Sequence, residues 1–439
     1  MKFFQQLLEK VSHKGRGVRL GVFLAAAMIT GAASVAFMWA FEFALHHRLD
    51  TSRVGRGMWV TTPLLFLASV EIIRRLAPFA DGAGIPQTVF AAEHLNDSNA
   101  AKLMPLVSMK TMAVKVLALL LAVWAGASTG REGPTVHVAA CLFVGVLLLA
   151  RRVLNVPIDL RSAVIAGGAA GLAAAFNTPL AGVTFAIEEL SADYFSSVKD
   201  VVLMSIIVAG ITAQTMTGEY TYFGRLTEPP AFNLWLVVLI GITGGILGAL
   251  FSTVLVKGRR LVLQLSKGAA ARYAIPVVLA WAVLLLNAVS QADLLGPGNR
   301  VAQTLVAGEY AGWAAQFSLL KMLATLCTYW SGIAGGIFAP SLSIGAGTGS
   351  AIGHALGSSS GSAAVLGMGA FLSAAIQAPI TAFVIIFEMT GHHQMLLPIM
   401  LTALIATLTA RTLGARHLYQ TLADSYGAMV GFETRPKKH

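Results

Sequence analysis

Long apolar stretches interrupted by Gly and Pro are the feature that most limits how this chain folds. About 20 apolar residues in a helix span the hydrocarbon core of a bilayer, where only helices or closed barrels satisfy their backbone hydrogen bonds. Of the 439 residues, 56% are hydrophobic and 12% are charged. The sequence therefore predicts an all-α polytopic membrane protein with many broken helices, forming a single membrane domain over residues 1–439. The apolar stretches lie roughly at residues 20–45, 57–80, 105–128, 136–150, 163–190, 200–217, 232–256, 273–290, 317–334, 337–356, 363–388 and 395–413.

Basic residues gather at the two ends of the chain, which carries a net charge of +11. By the positive-inside rule, both termini are expected in the cytoplasm. The chain is therefore predicted to be a multi-pass protein of the cell membrane, the inner membrane if it is bacterial. The basic residues form no patch interleaved with aromatic residues, so nucleic acid is not an expected partner. They are Lys2, Lys10, Lys14, Arg16 and Arg19 before the first apolar stretch, and Arg435, Lys437 and Lys438 at the end.

The two halves of the chain share a pattern of residues about 200 positions apart. A period of this length is typical of transporter halves, which are often inverted across the membrane with the binding site at their interface. We assign the first repeat to residues 20–225, the second to residues 232–416, and a short cytoplasmic C-terminal segment to residues 417–439. The matched residues are Lys115, Leu117, Ala118, Leu120, Trp124, Gly126, Gly130 and Pro134 with Lys321, Leu323, Ala324, Leu326, Trp330, Gly332, Gly336 and Pro340, and the segment from Phe176 to Glu188 with that from Ile376 to Glu388.

The repeat separates acidic residues of the framework from acidic residues with a special role. Glu188 has a twin in Glu388, so both are interpreted as structural, capping or pairing near a helix end. Glu132 and Glu189 occur in one half only, which favours a specific role for each. Glu188 and Glu189 are about 100° apart on a helix and are not expected to face the same environment. The second-half residues at the positions of Glu132 and Glu189 are Phe338 and Met389.

A charged pentapeptide, Gly130-Arg131-Glu132-Gly133-Pro134, lies between two apolar runs. Its glycines allow close approach of the backbone, and its proline suits the first turn of a following helix. Because a helix N-terminus attracts anions, one hypothesis is that Glu132 occupies the position of an anion. The alternative is a re-entrant loop in which Glu132 is merely paired with Arg131.

The order of these motifs resembles that of the CLC family of chloride channels and proton-coupled chloride transporters, over nearly the whole chain. The resemblance implies a bundle of tilted and partial helices in two inverted-topology repeats, assembled as a homodimer in the lipid membrane with one anion pathway per subunit. The family's cytoplasmic nucleotide-binding domains have no counterpart in this sequence. The motifs are Gly82-Ala83-Gly84-Ile85-Pro86, Gly130-Arg131-Glu132-Gly133-Pro134, Gly336-Ile337-Phe338-Ala339-Pro340 and the late Tyr419.

The resemblance also implies roles for individual residues. Glu132 resembles the gating glutamate, whose side chain blocks the outer anion site and accepts a proton when it swings away. Tyr419 resembles the tyrosine whose hydroxyl holds the central anion, together with the backbone amides of Ile337 and Phe338. Glu189 matches the inner proton-handling glutamate of the family's exchangers, which its channels commonly lack.

The first motif departs from the family at one position. Ala83 and Gly84 fall at the central anion site, but chloride-selective members commonly have serine where this chain has Ala83. A hydroxyl donor is missing there, so relaxed chloride selectivity is expected.

The preferred function is exchange of chloride or chloride-like anions for protons. The alternatives are a passive anion channel of the same fold and a sodium-coupled symporter for organic substrates, which also uses broken helices. An enzyme is not expected, and neither is a cofactor or a metal, because no nucleophile–base pair or metal-ligand cluster is present. Several features have structural interpretations: the glycines at 347, 349 and 353 as helix packing, Lys115 and Lys321 as framework, and His46, His47, His392 and His393 as interfacial residues.

Overall fold

The computed structural model describes residues 2–48, 55, 57–155, 159–190, 192–218, 222–224, 226, 233–309 and 312–432. Over these residues the chain is helical, and its extended backbone pairs only at two isolated bridges. Seven of the described helices are long and apolar enough to cross a membrane. The predicted all-α membrane fold is therefore confirmed. Pro229, Pro230, Arg435, Lys437 and Lys438 lie outside the described residues.

The described residues of the first half form nine α-helices, and the first of them begins well before the apolar stretch predicted at residue 20. They are α1 (Lys2–His46), α2 (Met58–Leu76), α3 (Ile85–His94), α4 (Ala100–Leu103), α5 (Met109–Trp124), α6 (Glu132–Leu154), α7 (Leu160–Phe176), α8 (Pro179–Phe185) and α9 (Ala192–Thr217). A π-helical turn, Ala186–Leu190, continues α8.

In the part of the second half that the structure describes, nine more α-helices follow. They are α10 (Leu234–Leu265), α11 (Ala269–Val289), α12 (Asn299–Val306), α13 (Ala314–Trp330), α14 (Phe338–Ala355), α15 (Ser360–Ile376), α16 (Pro379–Thr390), α17 (Leu396–Thr412) and α18 (Leu418–Met429).

The repeat seen in the sequence has the same backbone conformation in both halves. Each of the apolar stretches 163–190 and 363–388 is broken into two helices, at Asn177 with φ 57° and at Gln377 with φ 63°. A left-handed residue ends the first helix, and a proline two residues later begins the second. The paired residues Gly126 and Gly332 likewise have φ values of 87° and 84°.

The two structural glutamates join the halves by capping each other's helices. The carboxylate of Glu388 accepts hydrogen bonds from the amides of Leu180 and Ala181 at the start of α8, at 3.1 and 2.8 Å. The carboxylate of Glu188 does the same for the start of α16, where the amide of Thr381 donates at 2.6 Å and that of Ile380 at 3.1 Å. Because each glutamate lies at the C-terminal end of one helical segment and caps the start of the other, α8 and α16 run antiparallel. This is the relation that inverted repeats require.

The glycines at 347, 349 and 353 pack α14 against its neighbours. A Cβ atom on Gly349 or Gly353 would collide with Ala363 of α15, and one on Gly347 would lie 2.9 Å from the carbonyl oxygen of Ala314. These glycines therefore serve close helix packing, as the sequence indicated.

The last helix is part of the packed bundle. Tyr419, Leu422 and Tyr426 of α18 are buried, and α18 lies against α3, where a Cβ atom on Gly427 would collide with the ring of Phe90. The described part of the predicted C-terminal segment thus packs against the bundle, and the bounds of the repeats and of this segment stay predictions.

Candidate ion-transport site

Three loops that precede helices meet in the middle of the bundle. The amide of Gly82 donates to the carbonyl of Ile333 at 3.0 Å, and the amide of Gly335 donates to the carbonyl of Gly82 at 3.1 Å. Gly130 and Gly336 exchange two hydrogen bonds, at 2.8 and 2.9 Å. The N-termini of α3, α6 and α14 are thereby brought together. Since the first amides of a helix have no partner within it, this meeting point can stabilise negative charge.

Glycine is required where these backbones touch. Gly84 has φ 88°, and a Cβ atom there would lie 2.6 Å from the Cβ of His137. A Cβ atom on Gly133 would lie 2.7 Å from the carbonyl oxygen of Ala83. A larger residue at either position would separate α3 from α6.

The paired lysines hold the loops in place. Lys115 is fully buried and donates from Nζ to the carbonyls of Asp81 and Gly82, at 3.2 and 3.0 Å. Lys321 is also buried and donates to the carbonyls of Leu294 and Gly296, both at 2.7 Å. These contacts are those of framework residues, as the repeat indicated.

Glu132 lies at the meeting point with its carboxylate fully buried. Its Oε1 accepts a hydrogen bond from the hydroxyl of Tyr222. Its Oε2 has no hydrogen bond of normal geometry, although the amides of Glu132 itself and of Ala339 face the carboxylate. The carboxylate crowds the Cα of Gly130 beside the first turn of α14, because a Cβ atom on Gly130 would collide with Oε2. An acidic side chain thus lies at the helix N-termini.

Arg131 points toward other partners. Its Nη1 lies 4.0 Å from Oε1 of Glu42, and its guanidinium lies 5.5 Å from the centre of the Tyr222 ring. The side chain that hydrogen-bonds Glu132 is Tyr222, while Arg131 interacts with the Glu132 carboxylate through its charge.

The anion-site residues implied by the family resemblance surround the same point. Ile337 and Phe338 begin α14, so their amides belong to its unpartnered first turn. Tyr419 is fully buried at the start of α18, and its hydroxyl makes no hydrogen bond to the described protein. The hydroxyl lies close enough to Glu132 and Glu189 for electrostatic interaction with both. Buried hydroxyl groups normally have partners, so this one is a candidate donor to an anion.

Ala83 lies in the loop before α3, fully buried between Gly82, which pairs with Ala334, and Gly84. Its side chain has no polar atom. At position 83 itself, the loop therefore offers backbone groups alone.

Glu189 differs from its neighbour Glu188 as expected. Its side chain is 2% exposed, and its Oε1 has no hydrogen-bond partner. It lies on the π-helical turn Ala186–Leu190, whereas the matching residue Met389 lies in the regular helix α16. A π-helical turn advances the helical phase and is frequent at functional sites. Here it directs Glu189 inward while Glu188 reaches the start of α16.

A cavity of about 500 Å³ opens next to the loop cluster, at the end of α1 opposite to its N-terminus. We call it the outer cavity, because the predicted cytoplasmic N-terminus would place this end of α1 on the external side. Arg131 and Tyr222 form part of its wall, and the charged residues around them are Glu42, Arg48, Asp293 and Arg300. Two of these form an ion pair, with Arg48 Nη2 at 3.2 Å from Asp293 Oδ2.

Two features of the site were not found from the sequence. One is Tyr222, which lies in a polar segment without a motif. The other is a buried group around Arg259, whose Nη2 donates to Oδ2 of Asp81 at 2.6 Å and to the hydroxyl of Tyr426 at 3.0 Å. Asp81 directly precedes the first glycine motif, and an acidic residue at that boundary was an available signal.

Known proteins match this chain over nearly its full length. Residues 64–411 match the model of the voltage-gated chloride channel family. The "H(+)/Cl(-) exchange transporter ClcA" of Cronobacter sakazakii is 32% identical, with 90% of this chain and 87% of that protein aligned. Among solved structures, a slow cyanobacterial Cl⁻/H⁺ antiporter superposes with a TM-score of 0.79 at 26% identity, covering 94% of this chain and 98% of that one. A CLC-type fluoride/proton antiporter shares the fold, with a TM-score of 0.73 at 21% identity over 92% and 97% of the two chains.

Inverted repeats, broken helices and helix N-termini that meet at a buried carboxylate define a multi-pass membrane protein of the ion-transporting class. With a family match that spans most of its length, the chain belongs to the voltage-gated chloride channel family, the CLC proteins.

Proposed function

We propose that this protein is a proton-coupled antiporter that exchanges chloride or similar small anions for protons. The observation that carries the proposal is the position of Glu132, whose carboxylate lies at the joined N-termini of α6 and α14. A carboxylate at a place suited to anions competes with them for it. Protonation removes that competition, so anion passage and proton uptake become linked.

Glu189 supports exchange over passive conduction. It is the second buried acidic residue near Tyr419 and has an oxygen without a partner. A proton released by Glu132 toward the opposite side needs an acceptor, and Glu189 is suited to that step. The relatives named as H(+)/Cl(-) exchangers agree with this proposal.

The proposal includes the wider setting of the protein. In this proposal the protein lies in the cell membrane with both termini on the cytoplasmic side. From the family resemblance, it forms a homodimer with one anion pathway in each subunit. The transported species are small anions and protons. Transport requires no enzymatic step.

The test is the simultaneous measurement of anion and proton flux in liposomes. We expect Glu132→Ala to keep anion flux and to lower proton transport at least tenfold, because the alanine neither blocks the site nor carries a proton. Glu71→Gln is the control, since Glu71 pairs with Arg74 and Arg75 on α2. Anion flux in the unmodified protein without proton movement would support the channel alternative instead.

A further inference from the structure

Tyr222 is the one side chain that hydrogen-bonds the Glu132 carboxylate in the described protein. It comes from the linker between α9 and α10, at the end of the first repeat. The tyrosine is 4% exposed. Burial, strengthened by the Glu132 carboxylate nearby, raises the pKa of the Tyr222 phenol well above its usual value. The phenol therefore stays protonated and remains a donor.

Several contacts fix the position of this ring. The ring of Phe176 meets it edge-on at 5.4 Å between centroids, and the Arg131 guanidinium lies over its face. The side-chain amide of Gln303 on α12 donates to the Tyr222 carbonyl at 2.9 Å, and the side chain of Asn299 faces the phenol. Groups from both repeats thus orient a single hydroxyl toward Glu132.

Tyr222 also stands between Glu132 and external water. Its ring forms part of the wall of the outer cavity, whereas Glu132 behind it is fully buried. For the carboxylate to move toward the cavity, the hydrogen bond between the two residues has to break.

From this geometry we infer that Tyr222 is a latch that holds the gating carboxylate of Glu132 in its blocking position. The inference rests on the proposed gating role of Glu132. The phenol donates to one oxygen of the carboxylate and stabilises the ionised form more than the protonated form. Proton binding therefore weakens the latch at the same time as it removes the competing charge.

Among the described residues, the charged and titratable groups that face this contact are few. Arg131 precedes Glu132, lies over the tyrosine ring and interacts with the carboxylate through its charge, and Tyr419 of α18 lies close enough to interact with it as well. The helices α12 and α14 contribute the neutral groups of Asn299 and of the Ala339 amide. A change in pH dependence after removal of the Tyr222 hydroxyl can therefore be assigned to Glu132.

The decisive variant is Tyr222→Phe, which removes the hydroxyl and keeps the ring. Loss of a hydrogen bond to a charged group shifts an equilibrium by about tenfold or more. We expect anion turnover near neutral external pH to rise about tenfold, with proton coupling retained. The midpoint of the dependence of anion turnover on external pH should move upward by about one pH unit. The reason is that the Glu132 carboxylate loses a group that favours its ionised form.

Tyr194→Phe is the matched control. The Tyr194 hydroxyl donates to the carboxylate of Asp159 at 2.9 Å, a contact of the same chemistry outside the loop cluster. This variant should transport as the unmodified protein does. Gln303→Met removes the hydrogen bond to the Tyr222 carbonyl and keeps the phenol. It should therefore shift the dependence of anion turnover on external pH in the same direction as Tyr222→Phe, but less.

The double variant Tyr222→Phe with Glu132→Ala tests whether Tyr222 acts through Glu132. If the latch acts through Glu132, the tyrosine change has no effect on flux once the carboxylate is gone. Equal effects in both backgrounds, or no effect in either, would overturn the latch while leaving the antiporter proposal intact. Absence of coupled exchange in the unmodified protein, or proton pumping that survives Glu132→Ala, would instead overturn the proposed function.

Discussion

At the scale of single residues, we predict that Ala83 leaves the proposed anion site without a side-chain hydroxyl donor at that position. A dehydrated anion needs replacement donors, and those that remain are the Tyr419 hydroxyl and the amides of Ile337 and Phe338. Chloride is more strongly hydrated than nitrate or thiocyanate, so it loses most from a missing donor. We therefore predict weak chloride binding and poor discrimination among anions.

Ala83→Ser should restore preference for chloride. Serine adds one hydroxyl with little added volume, and a hydrogen bond to a charged group contributes about 1.5–3 kcal/mol. We therefore expect chloride affinity to rise about tenfold or more by calorimetry, with a higher ratio of chloride flux to nitrate flux. Gly82 and Gly84 on either side remain unchanged, so the backbone of the loop is kept. Tight and selective chloride binding by the unmodified protein, with no change in the variant, would show that the side chain at position 83 does not contact the anion.

The motif residues of the site could be predicted, while the contacts between them could not. Gly130 and Gly336 were matched by the repeat, but their mutual hydrogen bonds depend on how the halves meet. Tyr222 was missed because it lies 90 residues from Glu132 in a segment with no pattern. Nothing in the local sequence indicates that a linker tyrosine returns to the centre of the bundle.

At the scale of helices, the adjacent residues Glu188 and Glu189 lie on one turn but make different contacts. Glu188 is partly buried and caps α16, whereas Glu189 is buried with an unpartnered oxygen. The π-helical turn separates their directions. The sequence predicted that the two side chains face different surroundings, and this is confirmed. The identity of the capped helix came only from the structure, because it begins almost 200 residues further along the chain.

Exchange of each glutamate for glutamine should separate transport from stability. Glu189→Gln is expected to abolish proton transport and to leave anion flux, since the amide cannot carry a proton. Glu188→Gln should destabilise the fold by about 1 kcal/mol through loss of a charged helix cap, measured as a lower apparent Tm. Glu388→Gln is the symmetry-related control and should lower Tm similarly. Loss of coupling in the Glu188 variant alone would reverse our assignment of the two residues.

At the scale of the whole molecule, the predicted orientation of the protein in the membrane follows from its charge distribution and its topology together. The basic residues before the first span predict a cytoplasmic N-terminus. The end of α1 at His46 then lies on the external side, where the outer cavity opens. The repeat pattern made the all-helical bundle predictable, whereas the packed position of α18 was not, because its buried tyrosines adjoin polar residues.

Labelling of introduced cysteines tests this orientation. Lys2→Cys and Lys438→Cys should react with a membrane-impermeant maleimide only after the membrane is opened. Asp293→Cys, at an exposed residue of the outer cavity, should react in intact cells. Reaction of either terminal cysteine in intact cells would contradict the predicted topology.

The exchange of caps between α8 and α16 has a consequence for how such a chain could arise. A single half would expose the amides of its own broken helix, since the carboxylate that caps them belongs to the other half. A second copy of that half, inserted upside down, would carry an equivalent glutamate at the right place. A half-length ancestor could therefore complete these caps by pairing with a second copy of itself inserted in the opposite orientation. Joining the two copies in one polypeptide turned a concentration-dependent encounter into an intramolecular one.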